Sequence, residues 1–163
     1  MVVQIVESVR GRRSLQCDEA SEIRTGRRVL DETPDEYALY TGVFLRHPNL
    51  RLILALPTLG WRIGEHILMG RGPEDADIDP AHVAQVLREL YYETALAGSR
   101  NSLLPTLEVT TPDHILFGTD WPAAPEPTVI HNIDNLTSFE GFTEDELRGV
   151  ERDNALGLFP CFA

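Results

Sequence analysis

Residues 114–122 read His114-Ile115-Leu116-Phe117-Gly118-Thr119-Asp120-Trp121-Pro122 (HILFGTDWP). A short apolar run ends in a glycine, a carboxylate and a proline. The length of the run suits a strand buried on both faces, as in a parallel sheet. Two similar runs precede it, Arg51-Leu52-Ile53-Leu54-Ala55-Leu56 and Leu90-Tyr91-Tyr92-Glu93-Thr94. Helical signals separate them. Asp79-Pro80 opens a helix with Val83, Val86, Leu87 and Leu90 at three-to-four spacing, and residues 99–107 read as a helix despite Pro105. Strands alternating with amphipathic helices predict βα units on a parallel sheet.

Further out, Thr33-Pro34-Asp35-Glu36 and Thr143-Glu144-Asp145-Glu146 are capping-box sequences. The first predicts a helix to about Arg46. The second predicts one through about Leu156. Residues 58–69 read as a helix weakened by Gly60 and Gly64, and residues 70–79 as an acidic loop. Residues 1–30 differ from the rest: they hold six arginines and four acids, with a short candidate strand at residues 2–6 and a polar, aperiodic stretch at 11–28. They are expected to form a poorly ordered arm.

Composition narrows the chemistry. Of 163 residues, 14 are basic and 26 acidic, a formal net charge of −12. That balance disfavours nucleic acid as a partner, which needs clustered positive charge. Every basic side chain other than histidine is arginine. Phosphate-loop and Schiff-base chemistry require a lysine amine, so both are excluded for this chain. No apolar run is long enough to span a membrane, and the apolar run at residues 1–6 is too short, with its charges in the wrong order, for a secretory signal. A cytoplasmic location follows as the expectation. Cys17 and Cys161 lie far apart in sequence and are expected to be free thiols in a reducing compartment.

Function in parallel α/β folds sits at the carboxyl ends of strands. Asp120 is the foremost candidate there: Gly118 permits close backbone approach and Pro122 fixes the exit. The structural alternative is an N-cap or turn aspartate. Glu93 ends the preceding strand, where it could act at the same mouth or simply pair with an arginine. His47, His66, His82, His114 and His131 form neither HxH nor HExxH, and no GxSxG elbow is present.

LYYETALAGSRNSL, PDHILFGTDWP and RDNALGLFP, with GVFLRHPNLRLILA upstream, together resemble the carboxyl-terminal part of the amidohydrolase-related metal-dependent decarboxylase/hydrolase family, which includes aminocarboxymuconate-semialdehyde decarboxylase. The likeness covers about residues 31–160, so residues 31–163 are expected to form the end of a barrel domain and residues 1–30 an arm foreign to the family. It implies the last three βα units of a (β/α)8 barrel with a divalent metal, usually zinc, at its mouth. Asp120 matches the family's aspartate after strand eight, which contacts the metal and handles a proton. The implied activity is decarboxylation or hydrolysis of small aromatic or muconate-type carboxylates.

Departures from that pattern are substantial. The histidine that follows ILA in the family is missing, because Ala55 runs into Leu56-Pro57-Thr58-Leu59-Gly60. Glu93 stands where the family has aspartate, and residues 1–30 hold no HxH pair. Asp120 alone survives of the implied ligands. Two open sheet edges and an uncovered barrel interior are expected, favouring association as a homo-oligomer or with a full-length relative. A catalytically inactive relative of the enzymes is one alternative. An unrelated small α/β binding module is another, and a structure whose three strands are not parallel neighbours would favour it.

Overall fold

A computed structural model describes residues 4–7, 43–55 and 79–162. The expected arm at residues 11–28, most of the helix expected from Thr33, the helix at residues 58–69, nearly all of the acidic loop and His66 lie outside the described residues.

The sheet has four strands in the order β1-β2-β3-β4: β1 (Gln4–Glu7), β2 (Leu50–Ala55), β3 (Tyr91–Glu93) and β4 (Ile115–Leu116). β2, β3 and β4 run parallel, with Leu54 opposite Tyr92 and Glu93 opposite Leu116. The three runs read from sequence are therefore parallel neighbours, so the arrangement that would favour an unrelated module is not the one found. β1 overlaps the candidate strand at residues 2–6 and joins β2 antiparallel, Gln4 opposite Ile53.

Alternation along the strands explains their unbroken apolar character. Leu52, Leu54, Tyr92 and Ile115 face one side, where they meet Val83, Val86 and Leu87 of α2 (Pro80–Glu89), Leu103 of α3 (Arg100–Leu107) and Leu136 of α4 (Glu126–Thr137). Phe44 of α1 (Val43–Arg46) joins the same core. Ile53 and Leu116 face the other side and are buried under Leu158, with Tyr91, Ala155 and Phe159 packed around them. Burial on both faces is what a parallel sheet demands of its strands.

The helix from Thr143 divides into α5 (Glu144–Arg148), a π-helical turn (Gly149–Asp153) and α6 (Asn154–Leu158). Its capping box forms as read: Thr143 Oγ1 accepts from Glu146 N at 3.2 Å, and Glu146 Oε2 accepts from Thr143 N at 2.8 Å. Asp79 caps α2 by accepting from Ala81 N at 2.9 Å.

Four expectations need correction. β4 is shorter than residues 114–118, because His114 closes a 3-10 turn (Pro112–His114) in which its Nδ1 donates to Arg88 O at 2.7 Å. The sheet edges are not those of three bare parallel strands, since β1 is the edge strand on one side. β1 occupies the edge of β2. Leu116 O accepts from Thr94 N of the β3 side, so Ile115 and Phe117 turn their backbone groups outward. Those groups are taken: Phe117 N donates to Val150 O at 3.0 Å, and Asn154 Nδ2 donates to Ile115 O at 2.8 Å. Nor is the second sheet face bare, since α6 and Phe159 cover it. Finally, Cys161 is disulfide-bonded, and no free cysteine occurs among the described residues. Sequence separation says nothing about proximity in a fold, and the thiol argument for a reducing compartment falls with it. No helix of the described residues is long and apolar enough to cross a membrane.

Candidate active site at the carboxyl ends of β3 and β4

β3 delivers Glu93 and the chain beyond β4 delivers Asp120 to the same end of the sheet. Glu93 is half-buried, and its Oε2 accepts from Ala95 N at 2.8 Å. The carboxylate lies against the Gly118 backbone so closely that a Cβ at Gly118 would collide with Oε2. Close approach, read from the sequence as the reason for this glycine, is thus met by a functional-group neighbour. Burial pushes the Glu93 carboxyl above its ordinary range, the Ala95 N–H pulls it back, and the negative charge of Asp120 pushes it up again. Among the described residues no arginine pairs with Glu93, so the ion-pair alternative is not realised there.

Asp120 sits in the left-handed region at φ 58°, which aspartate tolerates better than most residues. Its backbone is held on both sides: Ala124 N donates to Asp120 O at 2.8 Å, and Trp121 N donates to Thr119 Oγ1 at 3.3 Å. Its side chain is exposed and takes no hydrogen bond among the described residues. α4 begins only at Glu126, so Asp120 is not its N-cap. The turn holds the backbone and leaves the carboxylate free. Leu96, at φ 59°, and Trp121 are exposed on the same two loops, Trp121 at 63%.

The two strand ends are tied together by Thr94, fully buried. Its Oγ1 accepts from Gly118 N at 3.2 Å and donates to Gly118 O at 3.4 Å. Sequence reading missed the next partner, Asn132 of α4. Its Nδ2 donates to Thr94 O at 3.0 Å, and its Oδ1 accepts from Gly98 N at 2.6 Å. The signal was thin: α4 carries one polar residue, Asn132, where an apolar one would have marked the buried stripe.

Among the described residues no histidine joins Glu93 and Asp120 in a metal-binding group. His47 follows α1, exposed; His82 lies on α2; His131 is exposed on α4; and His114 serves Arg88 O at the other end of β4. Among the described residues no three His, Cys, Asp or Glu side chains converge as a metal-binding group. Glu93 and Asp120 offer hard oxygen ligands suited to a divalent cation. A catalytic zinc takes about three protein ligands, so these two do not make a metal centre by themselves.

The sequence profile of the amidohydrolase family matches residues 25–161. The chain belongs to the amidohydrolase family. Its relatives include 6-methylsalicylic acid decarboxylase of Penicillium expansum, 28% identical over 141 residues that make up 83% of this chain and 41% of the relative. Among solved structures, 2,6-dihydroxybenzoate decarboxylase from Rhizobium superposes with a TM-score of 0.56 at 25% identity, covering 77% of this chain and 39% of that one. A dihydroxybenzoic acid decarboxylase from Polaromonas with bound manganese superposes with a TM-score of 0.59 at 22% identity, over 78% and 39% of the two chains. This amidohydrolase chain spans about two fifths of the length of these relatives. The three parallel strands of its sheet belong to the family's barrel fold, and the relatives named are decarboxylases of aromatic carboxylates.

Proposed function

We propose that this chain supplies the β3 and β4 rim of a metal-dependent carboxy-lyase site for small aromatic carboxylates, with Asp120 as a metal ligand and proton-handling group. The observation that carries this is the free Asp120 carboxylate, held by its backbone beside Glu93 at the carboxyl ends of adjacent parallel strands. The decarboxylase relatives support the reaction class. Held in part by Asp120, a divalent cation, zinc or manganese, would supply Lewis-acid polarisation of a substrate carboxylate. The chain's own residues do the rest: Asp120 holds a negative charge at the mouth, Glu93 beside it is biased towards its protonated form, and Leu96 and Trp121 offer apolar surface to a ring. Hydrolysis at the same site would use the same rim, but the decarboxylase relatives favour carboxy-lyase chemistry.

A second reading, an inactive relative that works with a full-length family member, is favoured by the lack of a third converging ligand among the described residues. One experiment separates the two. CO2 release from 2,6-dihydroxybenzoate and 6-methylsalicylate is measured with Mn2+ or Zn2+, alongside Mn2+ affinity, for the chain and Asp120→Asn. Turnover abolished by chelator and by Asp120→Asn establishes the carboxy-lyase. Mn2+ binding that depends on Asp120 without turnover establishes the inactive relative. Mn2+ affinity indifferent to Asp120→Asn, with no turnover, overturns the carboxy-lyase reading and agrees with an inactive relative whose described residues lack a third converging ligand.

A further inference from the structure

The paired carboxylates come from two separate loops, and neither loop is held by the sheet alone. Strand pairing between β3 and β4 ends at Glu93 and Leu116, before either loop begins its turn. Beyond that point the loop after β3 turns through Leu96 in the left-handed region, and the loop after β4 turns through Asp120 in the same region. Both conformations need outside support to persist. That support converges on two fully or nearly fully buried polar side chains, Thr94 and Asn132.

Asn132 uses both ends of its amide on one loop. Nδ2 donates to Thr94 O at 3.0 Å and Oδ1 accepts from Gly98 N at 2.6 Å, so the four-residue step from Thr94 to Gly98 is clamped at each end. Gly98 has no room for a Cβ against the Asn132 backbone oxygen, which keeps α4 and this loop in direct contact. Thr94 then passes the constraint across. Its hydroxyl brackets Gly118, accepting from the N–H and donating to the carbonyl, two residues before Asp120. A third link joins the loops directly, since Glu93 Oε2 rests against Gly118 while accepting from Ala95 N.

We propose that Asn132, acting through Thr94, is the positioning residue that sets the placement of Asp120 relative to Glu93. Its functional meaning rests on the carboxy-lyase assignment of this mouth, while the geometric coupling stands without it. Neither Asn132 nor Thr94 is a catalytic residue. An α4 side chain bonded to the loop after β3 governs where the carboxylate after β4 stands.

Amide hydrogen exchange on the whole chain tests the coupling, with the Leu90 amide, bonded to Val86 O at the end of α2, as the reference for overall stability. Asn132→Asp keeps an acceptor for Gly98 N–H and removes the donor to Thr94 O. It is expected to speed Gly118 exchange roughly tenfold relative to Leu90, although Asn132 makes no hydrogen bond to Gly118. Thr94→Val is expected to do the same, and Thr94→Ser to restore the wild-type ratio. Should Asn132→Asp not fold, the Val and Ser pair decides. Gly118 and Leu90 accelerating equally in these variants would overturn the inference, for that is what plain destabilisation gives. Mn2+ affinity is read on the same samples: about a tenfold loss in Thr94→Val, recovered in Thr94→Ser, is expected of a group that orients a ligand. If Asp120→Asn leaves Mn2+ affinity unchanged while the exchange ratios move as stated, the carboxy-lyase assignment fails and the positioning stands.

Discussion

Glu93 concentrates the physics of the site. It is half-buried, bonded to one backbone N–H and exposed to the charge of Asp120, and the net result is a carboxyl raised above its ordinary range. A carboxyl raised in the folded state binds protons that the unfolded chain has already released, so stability falls as pH rises from the ordinary glutamate range through the folded value. Glu93→Gln keeps an oxygen for Ala95 N–H and removes the charge. In metal-free buffer the variant is expected to melt above wild type at neutral pH and to lose that advantage near pH 4, where Glu93 is protonated in both states. Equal melting temperatures across the range would contradict this. Gly118→Ala is expected to destabilise by about 1–3 kcal/mol in denaturant titration, because its Cβ must displace the Glu93 carboxylate. The position of Asp120 beyond the carboxyl end of β4 was legible at this scale, since a carboxylate after a buried strand and a glycine has few other places to go. The partner chosen by Glu93 was not legible: an arginine fitted its residue type equally well, and only the register of β3 against β4 brings it to Gly118 and Asp120.

At the scale of elements, local chemistry was read reliably where the signal is short-range. The capping box at Thr143, the Asp79 cap with Pro80, and the apolar spacing of α2 all act within one helical turn. Thr143→Ala is therefore expected to cost about 1 kcal/mol in chemical denaturation, with the site's Mn2+ affinity unchanged. Elements defined by distant partners were not readable. β4 loses His114 to Arg88 O, a carbonyl 26 residues earlier. α4 was absent from the sequence reading, because among its residues only Asn132 and Leu136 are buried and the polar one masks the stripe. The π-helical turn has no local signature either. It exists where Val150 O must meet Phe117 N and Asn154 must reach Pro112 O and Ile115 O.

Among the described residues the chain itself covers the edges of its three parallel strands, leaving β1 as the edge strand on one side. Parallel order and fold class followed from alternation of strand and helix signals, whereas edge closure depends on contacts between residues about fifty positions apart and more than thirty apart respectively. β1 lies antiparallel along β2, and the π-helical turn with Asn154 satisfies the outward groups of β4. Both edges would otherwise template pairing with another chain. Ile5→Pro combined with Val6→Pro removes two β1 backbone donors and the extended pairing. The doubly substituted chain is expected to show a higher mass than wild type by light scattering after size exclusion. An unchanged mass would show that β1 does not guard that edge.

Paramagnetic broadening by substoichiometric Mn2+, followed across the backbone amide spectrum of the chain, tests the role given to Asp120 most directly. Resonances of Glu93, Ala95, Thr119 and Asp120 are expected to broaden first, and to stay sharp in Asp120→Asn at the same Mn2+ concentration. Broadening that begins instead at the exposed acids Glu144, Asp145 and Glu146, or that persists around residue 120 after the substitution, would contradict it.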